Sequence, residues 1–227
     1  MKAILFDLDD TLYRERDFVE GGFSAAALFL EKRYGLPAAH TTQRLGQLMD
    51  SQGRGKIFDQ LLNEYELYAP ELTSLLVFIY RTHTPQIRLS PSDSRQLYAW
   101  RDKGIQLGLI TDGIASVQQR KIAALGLPEI MKVCICTEEM GANCSKPSVR
   151  PFQLALDLLQ VTVQETMYVG DNDAKDFEGA NRVGLYTTQL TKYLTPRQEP
   201  ANELSRARMR IGDLADINTI LLEKNHV

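Results

Sequence analysis

Met1-Lys2-Ala3-Ile4-Leu5-Phe6-Asp7-Leu8-Asp9-Asp10-Thr11 opens the chain, and the break at Phe6-Asp7 decides how the rest is read. Four apolar residues in a row are too few for an ordinary helix and suit a strand buried on both faces. Residues 2–7 are therefore read as a strand that ends in acid. The same form recurs at residues 105–111 (IQLGLIT), 132–137 (KVCICT) and 166–170 (TMYVG), more weakly at 185–190, and as a short sixth run at 208–211. Helix-period segments lie between them, at 92–103, 115–125, 152–159, 174–183 and 214–223. The first starts after Ser-Pro, and Gly104 and Gly126 stop the first and second. Strands alternating with helices of this length predict an α/β fold with a doubly wound parallel sheet of Rossmann-like form.

Between the first and second strands the period changes. Residues 14–86 hold no convincing strand and read as an inserted helical bundle, which leaves residues 1–13 and 87–227 for the core domain. Helices are predicted over 18–34, 42–51, 57–65 and 71–81. The first carries Phe23, Ala26, Ala27, Leu30 and Tyr34 on one stripe and ends at Gly35. Ile57, Leu61, Leu62 and Tyr65 share a face of the third.

Composition narrows the function classes. The 227 residues are 44% hydrophobic and 24% charged, as in a soluble globular protein. A net charge of −3 gives no basis for nucleic-acid or anionic-membrane binding. No apolar run nears the ~18 residues of a spanning helix. The acidic cluster arrives too soon for a signal peptide, so a cytoplasmic protein is expected. Cys134, Cys136 and Cys144 form no paired framework and too small a ligand set for zinc, so they are read as structural. Whether the chain is a monomer or a dimer is left open.

Open parallel sheets bind ligands at the carboxyl ends of their strands. Strand one ends in Asp7-Leu8-Asp9-Asp10-Thr11, strand two in Thr111-Asp112-Gly113, and strand four in Gly170-Asp171, with Asp173 and Asp176 beyond. Lys146-Pro147 lies on the loop after strand three. Adjacency in a sheet would gather carboxylates, one lysine and one hydroxyl in a single crevice. Mutually repelling carboxylates ask for a cation, and hard oxygen donors favour Mg²⁺ over zinc. Asp171-Asn172-Asp173-Ala174-Lys175-Asp176 fails as a calcium loop, because Lys175 stands at a ligand position and Asp176 where glycine is needed. Gly53-Arg54-Gly55-Lys56 lacks the spacing and the Ser/Thr of a P-loop.

Phe6-Asp7-Leu8-Asp9-Asp10-Thr11-Leu12, Leu109-Ile110-Thr111-Asp112-Gly113, Lys146-Pro147 and Val169-Gly170-Asp171-Asn172-Asp173-Ala174-Lys175-Asp176 stand in the order of four motifs. Together they resemble the haloacid-dehalogenase-like hydrolase superfamily, in the phosphatase branch of subfamily I with a helical C1 cap after strand one. The resemblance implies a Mg²⁺-dependent phosphatase acting through an aspartyl-phosphate. Asp7 would be the nucleophile, and Asp9 the acid that protonates the leaving oxygen and later deprotonates water. Asp7, the Asp9 backbone carbonyl and Asp171 would hold the metal. Asp176 would hold metal water or orient Lys146, and Lys146 would balance charge on the phosphoryl group. The Thr111 hydroxyl and the Asp112 N–H would hold phosphate oxygens.

The chain departs from the pattern at two positions. Asp112 replaces the usual Asn, so its carboxylate must point away from a phosphate or be paired. Asp173 replaces a frequent proline and is expected to face solvent. Asp10 is given a loop or helix-start role. The dehalogenase branch needs neither the acid at Asp9 nor a metal, so a phosphatase fits better. A phosphomutase or phosphotransferase shares every core residue and stays open, and a non-catalytic scaffold would be expected to have lost Asp7, Asp9 or Asp171. The substrate is expected to be a small phosphorylated metabolite. The stretches from Thr111 to Leu127 and from Gly170 to Ala180 resemble phosphatases acting on sugar phosphates, including acylneuraminate 9-phosphate. Arg54 and Lys56, between the second and third inserted helices, are candidate substrate contacts.

Overall fold

The computed structural model describes residues 1–193 and 200–224. Six strands form one all-parallel sheet: β1 (Ala3–Phe6), β2 (Gln106–Thr111), β3 (Val133–Cys136), β4 (Thr166–Gly170), β5 (Tyr186–Leu190) and β6 (Met209–Ile211). Their order is β3-β2-β1-β4-β5-β6. In register, Phe6 lies beside Leu109 of β2 and Val169 of β4. The chain winds outward from β1 to β3 and then returns to the other side of β1. The strand order therefore reverses between β1 and β4, where such sheets open a crevice for ligands.

Both faces of β1 are covered, which explains its unbroken apolar run. Ala3 and Leu5 join Ile110, Phe152, Leu159, Tyr168 and Phe177 in one cluster. Phe6, on the opposite face, stacks on Trp100 with ring centroids 6.3 Å apart, and both are fully buried. Each such side chain taken from water stabilises the fold by about 1.5–3 kcal/mol. Gly108 has no room for a side chain, since a Cβ would come within 2.7 Å of Leu5.

The core helices lie near their predicted places: α5 (Pro91–Asp102), α6 (Ala115–Ala124), α7 (Arg150–Leu159), α8 (Phe177–Val183) and α9 (Ile217–Lys224). Ser90 caps α5, its hydroxyl accepting from the Asp93 N–H at 3.1 Å, with Pro91 at the first helical position. Two starts differ from expectation. Residues 173–175 form a turn, so α8 begins at Phe177, and 214–216 form a 3₁₀ turn before α9. Cys134, Cys136 and Cys144 are free thiols, and burial pushes Cys134 and Cys136 up to about 11.

The chain divides into two compact units, Met1–Arg14 with Arg88–Val227 and, separately, Glu15–Ile87. The second is all-helical: α1 (Glu15–Tyr34), α2 (Ala38–Gln52), α3 (Ile57–Glu64) and α4 (Pro70–Thr82). Its core gathers Phe23, Ala26 and Leu30 of α1, Leu45 and Leu48 of α2, Phe58, Leu61 and Leu62 of α3, and Leu76 of α4. Tyr34, expected on the α1 stripe, is 42% exposed at the helix end, and Val19 extends the buried stripe instead. No helix of the described residues is long and apolar enough to cross a membrane.

Candidate active site

The site is assembled at the ends of β1, β2 and β4. The Asp7 N–H donates to the Val169 carbonyl at 2.8 Å, so the pairing of β1 with β4 runs one residue past the strand and fixes Asp7 at the reversal point. The chain then turns sharply. Thr11 and Leu12 N–H groups reach back to the Leu8 carbonyl, and Asp10 takes a left-handed conformation (φ 56°), which Asp tolerates better than most residues. Leu8 and Leu12 are buried, which leaves Asp7 and Asp9 on the polar side of the turn.

Asp7, Asp171 and Asp176 are all buried, and one carboxylate oxygen of each lies within 4.8 Å of the other two. Lys146, with a fully buried side chain, joins them. Its ammonium donates to Asp7 and, at 2.7 Å, to Asp176, with the Tyr168 hydroxyl at 3.1 Å and the Ile110 carbonyl at 3.4 Å. Burial works against this charge, but Asp176 and Asp7 outweigh it and hold Lys146 well above the ordinary lysine range. Burial raises Asp7 to about 6, against the pull of Lys146 and with the repulsion of Asp176.

Asp176 has no lone pair to spare for a cation. One oxygen accepts from Lys146 and from the Tyr168 hydroxyl at 3.0 Å. The other accepts the Asp171 and Asn172 N–H groups at 3.1 and 2.9 Å. Burial opposes its charge, yet Lys146 and Lys175 keep it below the ordinary carboxylate range. Gly170 makes this bracket possible, because a Cβ there would sit 2.7 Å from Asp176 Oδ2. Asp7 and Asp171 stand beside it within reach of one cation. An all-oxygen, buried set with surplus negative charge fits a hard divalent ion.

Asp9 stands in a different environment. Lys121 Nζ donates to both of its carboxylate oxygens at 2.8 Å. The Tyr13 hydroxyl donates to Oδ1 at 2.5 Å and Gln118 Nε2 to Oδ2 at 3.0 Å. Burial would raise Asp9, but Lys121, Tyr13 and Gln118 bring it below the usual range. Gln118 also donates to Thr111 Oγ1 at 2.5 Å.

Asp112 is paired. Its Oδ1 accepts the Thr137 hydroxyl at 2.7 Å and the Lys146 N–H at 3.1 Å, so it fastens the loop that carries Lys146. Asp173 corrects the solvent-facing expectation. It is 4% exposed, and its Oδ2 accepts from Gln189 at 3.1 Å and Arg210 at 3.4 Å. Gln189 also donates to the Asp171 carbonyl, so Asp173 helps fasten the β4 loop onto β5. Arg54 and Lys56 belong to the helical unit. Arg54 is forked to Glu15 at 2.7 and 2.5 Å and, with Arg81, lines a mostly apolar cavity of about 280 Å³, while Lys56 is exposed just before α3. Tyr13, Gln118, Lys121 and Tyr168 join the site without a motif that marks them, although Gln118 and Lys121 lie in the stretch from Thr111 to Leu127 that resembles sugar-phosphate phosphatases. Gln118 and Lys121 stand three apart on α6, a polar pair on a face that also carries Val117 and Ile122.

The chain is similar to several known phosphatases. A glyceraldehyde 3-phosphate phosphatase of Methanocaldococcus jannaschii is 30% identical over 85% of this chain and 86% of its own length. A phosphoserine phosphatase of Thermus thermophilus is 28% identical over 96% and 98%. Among solved structures, a 2-haloacid dehalogenase from Pseudomonas syringae shares the fold, with a TM-score of 0.66, 22% identity, and 98% and 99% of the two chains covered. The model of the haloacid dehalogenase-like hydrolases matches residues 1–184, which reach from the first strand to the end of α8. On that match and on the phosphatase relatives, the chain belongs to the haloacid dehalogenase-like hydrolases.

Proposed function

We propose that this chain is a Mg²⁺-dependent phosphatase of a small phosphate monoester, a sugar phosphate or similar metabolite. The observation that carries the reading is the division of the acidic residues. Asp7 and Asp171 share a crevice with Lys146, while Asp9, two residues from Asp7, is held by its own set of donors. A dehalogenase has no use for that second, separately held carboxyl. The phosphatases among the relatives favour hydrolysis over transfer to a second hydroxyl.

In the first half of the reaction an Asp7 oxygen bonds to phosphorus and the ester P–O bond breaks. The proton of Asp9 goes to the departing oxygen. In the second half Asp9 takes a proton from water, the water oxygen bonds to phosphorus, and the Asp7–phosphorus bond breaks to release phosphate. Lys146 offsets the charge of the phosphoryl oxygens, and Thr111 Oγ1 and the Asp112 N–H take up phosphate oxygens. Asp7, the Asp9 carbonyl and Asp171 would hold Mg²⁺, which supplies charge neutralisation at the phosphoryl group when bound. Asp176 keeps Lys146 and the Asp171 loop in place. The helical unit acts as the cap that selects the leaving group, with Arg54 and Lys56 meeting a distal anion or hydroxyl after Arg54 parts from Glu15.

Phosphate release from glyceraldehyde 3-phosphate, phosphoserine, sugar phosphates and an aryl phosphate, with chelator and then with added Mg²⁺, tests the reading. Turnover should vanish and return, and Asp7→Asn should abolish it. Full activity in excess chelator, or a near-native Asp7→Asn enzyme, refutes it. Arg54→Ala and Lys56→Ala should raise KM for the best substrate while leaving the aryl phosphate nearly unchanged.

A further inference from the structure

The donors around Asp9 are more numerous than a simple acid needs. Lys121 Nζ bridges both oxygens at 2.8 Å, Tyr13 adds a bond to Oδ1, and Gln118 adds one to Oδ2. Each oxygen thus accepts two side-chain donors, and the carboxylate cannot rotate without breaking bonds. The Lys121 side chain is only 5% exposed. A lysine is rarely buried unless it is paired, so its place on α6 is explained by the carboxylate it meets. Among the described residues, the group of carboxylates close enough to hold an ion comprises Asp7, Asp171 and Asp176, without Asp9.

We propose that Lys121 is a positioning residue for proton transfer. It holds the Asp9 carboxyl in a polar cradle, away from the cation carboxylates, so that Asp9 serves the leaving-group oxygen instead of the ion. Tyr13 and Gln118 complete the cradle. The proton of Asp9 passes to the ester oxygen as the P–O bond breaks. This inference rests on the phosphatase reading and adds a residue to it.

The test compares kcat/KM for an alkyl phosphate and for 4-nitrophenyl phosphate in Lys121→Met and Tyr13→Phe. The ratio kcat/KM reads only up to formation of the aspartyl-phosphate. An alkoxide needs a proton to leave, whereas 4-nitrophenolate does not. Lys121→Met should lower kcat/KM about 100-fold on the alkyl ester, at the low end of general-acid contributions, and less than about 5-fold on the aryl ester. Tyr13→Phe removes one hydroxyl and keeps the ring, so it should fold even if Lys121→Met does not. It should show the same selectivity at smaller size. Equal losses on both esters in a folded variant, or no loss on the alkyl ester, overturn the proposal while the phosphatase reading stands. A wild-type protein inactive on both esters overturns the two together.

Discussion

Replacing Lys146 with Met removes a charge from a fully buried position. The Lys146 side chain is fully buried, and its ammonium answers both Asp7 and Asp176, themselves 2% and 0% exposed. Met keeps most of the volume, so the loss is chiefly electrostatic. Removing one partner of a buried ion pair costs about 3–5 kcal/mol, because the remaining charge is left without an answer. With a urea slope of about 2–3 kcal/mol/M, the midpoint should fall by roughly 1–2.5 M. The pH dependence identifies the cause. In the native protein Lys146 pulls Asp7 down, although burial still leaves it at about 6, and helps hold Asp176 below its ordinary value. Without Lys146 Asp7 rises further above its unfolded value and Asp176 rises from its depressed one. Upward shifts of that kind spare stability while the group is protonated and cost it as pH rises through the folded pKa. The deficit of the variant should therefore be largest at pH 8 and shrink toward pH 5. Trp100 is the only tryptophan, is fully buried and stacks on Phe6, next to Asp7, so its fluorescence follows unfolding of this unit. A deficit under about 1 kcal/mol at pH 8, or one that grows on acidification, would refute the reasoning.

Cation binding should release protons. With Asp7 at about 6, about half the cation-free molecules hold its proton at pH 6 and about 1% at pH 8, so calorimetric titration in two buffers of different ionisation heat should give about 0.5 proton released at pH 6 and almost none at pH 8. Gly179→Ala would place a Cβ 2.3 Å from the Pro147 carbonyl, forcing α8 away from the loop that carries Lys146. Thermal or urea unfolding should show a loss of about 1–3 kcal/mol, and turnover should drop at least about tenfold, although the same change elsewhere in a helix is stabilising.

The sheet was legible because its first four strands are short, largely apolar and bounded by turn chemistry, and because Asp7 and Asp171 follow strand ends directly while Thr111 closes β2. The same is true of the family motifs, whose residues are contiguous or nearly so. What the sequence hid depends on partners far away in the chain. Asp173 sits among other acids and looks solvated, but its donors Gln189 and Arg210 come from β5 and β6. Gln118 and Lys121 lie within the stretch from Thr111 to Leu127, but their carboxylate partner comes from the turn after β1, more than a hundred residues earlier. Tyr168 reads as strand filling, and only folding carries its hydroxyl to Asp176. Helix α2 begins at Ala38, four residues before its predicted start, because Pro37 ends the preceding turn without a side-chain cap to mark the place.

The bracket formed by Asp176 also bears on how such a site can change over generations. Four bonds converge on one carboxylate, and they tie together the absence of a side chain at Gly170, the amides of Asp171 and Asn172, the Tyr168 hydroxyl and the Lys146 ammonium. Single replacements at these positions each leave something buried and unmatched, so descendants that alter one must alter several at once. Random drift is therefore steep here and shallow elsewhere. An engineer seeking a different ion in this crevice would do better to replace the bracket as a block than to screen its members one by one.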